Sequence, residues 1–429
     1  MRLRHPFTRF VSAALVAALV GGCASANVPP IGAERPFKMA SDERRIWAQA
    51  EKEEEKLEKS GKVYDDPLLE EYLGRLADRL VGEEVKDAGG PGIRVTVFRD
   101  PTLNAFAMPN GRVYIHTGLL ARVENEAQLA MIVGHELTHV TNRDALRFER
   151  DATQKMIALN VLAIAASIGV AVAAGKQAER GNQVGAAVLS QTANAILGLG
   201  LQLAAVAAIN GYGRDLEREA DDKGLARMVK AGYDPKQAPR VFELLKKDGG
   251  DPSRLENFFF GNHPRLDERI ETTSHFLQSR YGAEVQEPDR IVDTPEFGLR
   301  LRTVVRENAG LDIRAGRFNL AQTQLDRVLA LTPRDPIARL YYGDLYRIQA
   351  QRARAIADKE TFVRQAIEQY TEAAALDPTY PDPYRQLGFL YYQQNERGRA
   401  REVFQRYLAL KPDASDARRI KEYLLELDR

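Results

Sequence analysis

The segment His135-Glu136-Leu137-Thr138-His139 carries the strongest chemical signal in the sequence. On a helix, two histidines four residues apart lie on one face, so their ring nitrogens can converge on a single metal ion. The glutamate next to the first histidine can reach a water on that metal without completing the ligand set. Zinc suits such a site: it takes nitrogen and oxygen ligands, keeps one position open and lowers the pKa of the water held there. The competing reading is a helix with two surface histidines. A metal needs a third ligand, and the stretch Arg214-Asp215-Leu216-Glu217-Arg218-Glu219-Ala220-Asp221 offers carboxylates. Glu217 and Asp221 are four apart and share a helical face, whereas Glu219 points roughly opposite. A carboxylate on the metal, with an acid one turn on that bonds a histidine's far nitrogen, is an ordinary metal-site arrangement. Taken alone, the same stretch reads as a solvated helix face. His263-Pro264 followed by Arg269 adds an imidazole and a guanidinium that can stabilise an oxyanion, or else a capped turn entering a helix.

These side chains need elements to hold them. Asn125 is a good N-cap with Gln128 three residues on, and good helix formers continue over 127–140, so the two histidines are expected on a helix. Residues 93–98 alternate as a half-buried strand does, and 113–117 is a second strand candidate. Between them, Asn104-Ala105-Phe106-Ala107-Met108 precedes Pro109 and the turn signal Asn110-Gly111, which predicts an edge strand followed by a turn. Residues 41–81 predict two helices, a polar one around Trp47 and an amphipathic one over 67–80; the charge run at 51–59 is a solvated face. Two Ala-rich apolar stretches follow, 156–174 and 195–209, and the first approaches the length of a membrane span. Asn160, Ser167 and the alanines favour a buried or interfacial helical hairpin instead.

From about residue 299 a period emerges. Ala321, Ala366 and Ala400 each stand twelve residues before a proline (Pro333, Pro378, Pro412), and a large apolar residue follows each alanine by four: Leu325, Tyr370 and Phe404. Gly343 with Tyr346, and Gly388 with Tyr391, repeat the spacing of a first helix, and Gly316 falls at an interhelix turn. Small residues where paired helices cross and a proline ending each second helix resemble the 34-residue tetratricopeptide repeat in three copies, the middle one stretched by roughly ten residues around 349–359.

Composition bounds the rest. At 44% hydrophobic and 28% charged residues, the chain is not a polytopic membrane protein, and a net charge of +1 gives no reason to expect nucleic acid as a partner. A single cysteine excludes an intramolecular disulfide. That residue, Cys23, follows a basic start (Arg2, Arg4, Arg9), an apolar run at 10–20 and Val20-Gly21-Gly22. This resembles a bacterial lipoprotein signal, with cleavage before Cys23 and acylation of its sulfur and amine. Residues 1–22 are then a signal peptide and 23–40 a Pro-rich, lipid-anchored tether. Ala24, rather than an aspartate after the cysteine, implies the outer membrane's inner leaflet on the periplasmic side.

Taken in order, Asn104-Ala105-Phe106-Ala107, Gly118-Leu119-Leu120, Gly134-His135-Glu136-Leu137-Thr138-His139, Glu217-Arg218-Glu219-Ala220-Asp221 and His263-Pro264 with Arg269-Ile270 resemble the gluzincin peptidases. The group is the one containing CAAX prenyl endopeptidases, HtpX-like heat-shock proteases and periplasmic β-barrel assembly-enhancing proteases, and the repeats point to the last of these. The resemblance spans residues 41–276. It implies one zinc ion per chain on His135, His139 and Glu217, with Glu136 as general base. Asp221 would be a supporting or proton-donating acid. His263 and Arg269 would face the substrate carbonyl, unless His263 occupies the open zinc position at rest. Asn104, Ala105 and Phe106 would pair with substrate backbone. Gly211-Tyr212-Gly213-Arg214 departs from the Ser-Arg pair often found before the glutamate, and the apolar stretches lengthen the gap between His139 and Glu217.

The expected fold is mainly α with a small β-sheet: an α+β zincin-like peptidase domain at 41–280, a linker at 281–298 and an all-α tetratricopeptide solenoid at 299–429. The expected activity is zinc-dependent endopeptidase action on unfolded or misassembled envelope proteins, with the repeats engaging an envelope protein complex. A lipid-anchored chaperone or assembly scaffold with little proteolysis is the alternative. An intramembrane prenyl-peptide protease fits the apolar stretches but not the signal peptide or the composition.

Overall fold

The computed structural model describes residues 28–33, 36–154, 213–248 and 266–428. Cys23, the apolar stretches at 156–174 and 195–209, Gly211, Tyr212 and His263 lie outside them. Among the described residues, no helix is long and apolar enough to cross a membrane. The described chain is mainly helical with one small sheet, and it divides into two compact units.

The first unit takes in the chain up to Phe98, Leu103–Ile115 and Val123–Asp293. It opens with α1 (Ser41–Lys59) and α2 (Pro67–Val81), the two helices expected there, and the one-turn α3 (Glu83–Asp87). Asp66 caps α2 by accepting from the Leu69 amide at 3.1 Å, and Pro67 occupies the first turn, where its missing N–H costs nothing. Strands β1 (Arg94–Phe98), β2 (Ala105–Ala107) and β3 (Arg112–His116) form a sheet in the order β1-β3-β2. β2 pairs antiparallel with β3, Phe106 opposite Tyr114, and is the outer strand of the sheet among the described residues. The edge position expected from Pro109 and the Asn110-Gly111 turn is the one observed, with Gly111 at φ +89°.

Next in this unit is α5 (Glu126–Thr141), whose sixteen residues are all buried. Asn125 caps it as expected, its side chain accepting from the Gln128 amide at 3.0 Å. α6 (Arg214–Lys230), α7 (Gln237–Asp248), α8 (Leu266–Arg280) and the short α9 (Gly282–Gln286) complete the unit. At the start of α5, the Glu126 carboxylate accepts from the Tyr72 and Tyr233 hydroxyls at 2.8 and 2.6 Å, tying α2 and the segment after α6 to the central helix.

The second unit joins Arg99–Thr102 and His116–Arg122 to the chain from Thr294 onward. It holds α4 (Thr117–Arg122) and three antiparallel pairs: α10 (Pro295–Ala315) with α11 (Phe318–Leu331), α12 (Pro336–Arg352) with α13 (Ile356–Leu376), and α14 (Pro381–Gln393) with α15 (Arg397–Leu410). A last helix, α16 (Ala417–Leu427), closes the array. Gly316 ends α10 in the left-handed region at φ +79°, the interhelix turn expected of it. The glycines repeated at 343 and 388 have a packing cause. A Cβ on Gly343 would lie 2.4 Å from the Tyr370 ring, and one on Gly388 would lie 2.3 Å from Phe404. Each of these two bulky residues thus fills the notch left by a glycine, and Ala321, Ala366 and Ala400 are fully buried. The two early pieces fit tightly into this unit. The Thr117 hydroxyl donates to Asn308 Oδ1 at 3.0 Å, and Arg122 bonds Asp312, which also accepts from Gln324 and Arg317. A Cβ on Gly118 would sit 2.3 Å from the Pro101 carbonyl oxygen.

Candidate metal centre

The ligand helices approach closely because both lack side chains at their crossing. A Cβ on Gly224 of α6 would lie 2.9 Å from the His135 amide nitrogen, and one on Gly134 of α5 would lie 3.0 Å from the Gly224 carbonyl. Two turns before Gly224, Glu217 then faces the histidines of α5.

His135, His139 and Glu217 come together there, each buried. His135 Nε2 and His139 Nε2 are 3.1 Å apart; Glu217 Oε2 lies 3.4 Å from the former and Oε1 3.6 Å from the latter. The imidazoles meet edge to face, with centroids 4.7 Å apart. Both far nitrogens are committed to carboxylates: His135 Nδ1 to Asp221 at 2.9 Å and His139 Nδ1 to Asp144 at 2.8 Å. A proton on each Nδ1, donated to its carboxylate, leaves a lone pair on each Nε2. Two lone pairs and a carboxylate then converge, which is repulsive without a cation between them. Tetrahedral zinc, with bonds of about 2.0–2.1 Å, holds its ligand atoms about 3.3 Å apart. The three residues therefore fit zinc in both donor chemistry and spacing, with a fourth position left for water.

Glu136 is buried beside this triad, and its Oε1 has no hydrogen-bond partner among the described residues. A buried carboxylate oxygen without a protein partner is expensive unless a water or substrate meets it.

Arg269, from α8, grips Asp221 in a fork: Nε lies 2.9 Å from Oδ2 and Nη2 lies 2.6 Å from Oδ1. Its guanidinium stacks over Phe242 of α7 at 4.1 Å. Asp221 Oδ1 receives both Arg269 and His135, which brings Nη2 within 3.1 Å of Nδ1. Burial alone would raise the Asp221 pKa, but Arg269 and His135 hold it below the usual range. Burial and Arg269 work to lower the His135 pKa, yet its bonds to Asp221 and Glu217 prevail and lift it to about 9, so a proton on Nε2 is the alternative to a metal ion there.

Asn104 stands just before β2 and is buried, its Oδ1 without a hydrogen-bond partner among the described residues. Ala105 and Phe106 follow on the edge strand, where Phe106 stacks on Tyr114 at 5.1 Å. Three participants were not read from the sequence. Asp144 follows the second histidine by five residues, and an acid so soon after such a motif is the signal that would have found it. Gly224, one turn beyond Asp221, is visible only as a helix-interior glycine. Phe242 has no local signature.

The pattern of peptidase family M48 matches residues 67–276, and that of the tetratricopeptide repeat matches residues 351–424. A Vibrio cholerae protein named as a beta-barrel assembly-enhancing protease is 28% identical over 306 residues, covering 71% of this chain and 57% of that protein. The beta-barrel assembly-enhancing protease of Escherichia coli is 27% identical over 252 residues, 58% of this chain and 46% of that one. The mitochondrial metalloendopeptidase OMA1 of Arabidopsis thaliana is 28% identical over 196 residues, 46% of this chain and 34% of that one. The chain thus spans about half the length of the curated relatives it matches.

Proposed function

With residues 67–276 forming a peptidase family M48 domain and tetratricopeptide repeats following it, we propose that the protein is a zinc-dependent endopeptidase of the bacterial envelope that degrades misassembled periplasmic or outer-membrane proteins. The observation that carries this reading is the convergence of His135, His139 and Glu217 next to Glu136, whose Oε1 has no hydrogen-bond partner among the described residues.

Zinc held by the three ligands would supply Lewis acidity and a water of lowered pKa. Glu136 accepts the proton of the attacking water and passes it to the amine leaving as the peptide bond breaks. Asp221 keeps the His135 ring turned with Nε2 toward His139 and Glu217. The Asp221 oxygens are taken up by His135 and Arg269, which favours a positioning role for Asp221 over proton donation. By the same token, we assign Arg269 to holding Asp221 rather than to facing the substrate carbonyl. His263 remains assigned to the substrate carbonyl or to the open zinc position. Asn104, with Ala105 and Phe106 on the sheet's outer strand β2, would receive the substrate backbone as an added strand.

We keep the division read from the sequence, with 41–280 cutting, 281–298 linking and 299–429 binding substrates or an envelope complex, save that Arg99–Thr102 and His116–Arg122 belong to the second compact unit and α10 begins inside the linker at Pro295. Cys23 would carry the lipid anchor, in the outer membrane's inner leaflet, only five residues before the described chain begins at Val28. The names of the Vibrio and Escherichia relatives support the envelope placement and the class of substrate.

The test pairs zinc quantification with cleavage of unfolded casein. Wild type should hold about one zinc and cleave, and a chelator should abolish cleavage. Glu136→Gln should keep its zinc and lose about 10²–10⁴-fold in rate. Full activity in Glu136→Gln would remove the mechanism, and zinc without cleavage of any substrate would favour the scaffold alternative.

A further inference from the structure

Asp144 lies beside the metal centre, outside the motifs read from the sequence. Helix α5 stops at Thr141. Asn142 still donates to the Thr138 carbonyl at 2.8 Å, but Arg143 then turns into the left-handed region at φ +60°. For a residue with a Cβ that conformation is costly. The Arg143 side chain offsets the cost: it pairs with Glu43 through Nε and Nη2 at 2.9 and 2.5 Å and donates to the Pro29 carbonyl at 3.2 Å. The helical chain resumes at Asp144. The break therefore turns the Asp144 carboxylate back under α5, where it is fully buried and accepts from His139 Nδ1 at 2.8 Å.

The other Asp144 oxygen accepts from Arg147 at 2.9 Å. The same Arg147 nitrogen reaches Glu219 at 2.7 Å, and Glu219 pairs through its second oxygen with Lys223 at 2.7 Å. Lys223 returns to Asn142 Oδ1 at 2.8 Å. The network closes on itself, joining the break after α5 to α6, and Glu219 stands two residues from the ligand Glu217. The acid that points away from the metal thus fastens the helix whose neighbouring acid points toward it. The guanidinium of Arg147 and the ammonium of Lys223 hold the Glu219 carboxyl below its usual range against the opposing effect of burial.

We infer that Asp144 is the positioning carboxylate of the second histidine, fixing the His139 ring and, through Arg147 and Glu219, the distance between the two histidines and Glu217. Each zinc-binding imidazole then backs onto its own aspartate, and each aspartate onto its own arginine: Asp221 with Arg269, and Asp144 with Arg147. A hydrogen-bonded carboxylate behind an imidazole selects the tautomer, fixes the ring plane and raises the basicity of the metal-facing nitrogen. This inference rests on the zinc reading above, so its test must fail separately from it.

The experiment measures zinc dissociation constants by chelator competition on the full chain, for wild type, Asp144→Ala, Asp144→Asn, Asp144→Glu, Glu219→Gln and His135→Ala. The thermal unfolding of each metal-free protein is followed in parallel. Asp144→Ala should weaken zinc about 10–100-fold and Asp144→Asn about 10-fold, with Asp144→Glu recovering part of the loss. Glu219→Gln should weaken zinc less than Asp144→Ala does. Cobalt-substituted Asp144→Asn should show altered ligand-field bands, which a purely structural role would leave in place. Should the alanine variant fail to fold, Asp144→Asn decides. Zinc affinity within twofold of wild type in a folded Asp144→Asn, while His135→Ala loses zinc, would overturn the role of Asp144 alone. Unchanged zinc binding in His135→Ala would overturn the metal centre itself.

Discussion

Two imidazole nitrogens 3.1 Å apart, each ring bonded to a carboxylate on its far side, turn toward one another and toward Glu217. That arrangement is held in readiness by buried carboxylates, and single substitutions should separate its parts. Asp221→Asn would leave Arg269 buried beside a neutral amide and His135 without a charged acceptor. It should lower zinc affinity about 10–100-fold and also reduce stability, measured by chelator competition and urea unfolding. An Arg269→Lys variant retains charge but loses the fork and the stack over Phe242, so it should resemble Asp221→Asn rather than wild type. Wild-type zinc affinity in both variants would contradict the positioning roles assigned here. The two histidines were legible because a four-residue spacing puts them on one helical face; Glu217 and Asp221 share a face too, but that stretch alone reads as solvated, and the resemblance to the gluzincin peptidases singled them out with Glu136. Asp144 and the Arg147–Glu219 link were not legible, because they depend on a left-handed break at Arg143 that nothing in its residue type requires.

The elements were legible where a local rule governs them. Asn125 caps α5, Gly316 ends α10, and the turn after β2 sits on Asn110-Gly111, each for a reason confined to a few neighbouring residues. The closeness of α5 and α6 was not, since Gly134 and Gly224 are far apart in the chain and meaningful only as a pair. Gly224→Ala tests that pair: with a Cβ only 2.9 Å from the His135 amide nitrogen, the helices must separate. The substitution should cost about 1–3 kcal/mol in urea unfolding and should weaken zinc binding as well. An alanine variant as stable and as zinc-avid as wild type would show that the crossing does not set the ligand geometry. In the repeats, Gly388→Ala is expected to cost a similar amount by forcing its Cβ into the Phe404 ring, with no change in zinc affinity.

For the whole molecule, the chain is not partitioned by a single cut. The alanine, bulky residue and proline offsets revealed the repeats, but they carry no sign that Arg99–Thr102 and His116–Arg122 belong to the same compact unit. Those pieces are held by Asn308, Asp312 and Gln324, polar residues in helices whose apolar pattern is all that periodicity can read. Ending the chain at Asp293 would therefore remove α10, the helix packed on α4, together with Asn308 and Asp312. The truncated protein, with the apolar side of α4 uncovered, should melt well below the full chain or aggregate. A truncation as stable as the full protein by calorimetry would show that these contacts contribute nothing.

All of these expectations converge on one ion at one place. Crystals of the full chain grown with zinc, with anomalous data collected at the zinc edge, locate it directly. The account predicts a single peak about 2.0–2.2 Å from His135 Nε2, His139 Nε2 and a Glu217 oxygen. No peak there with zinc in excess, or a peak bound elsewhere in the chain, would contradict it.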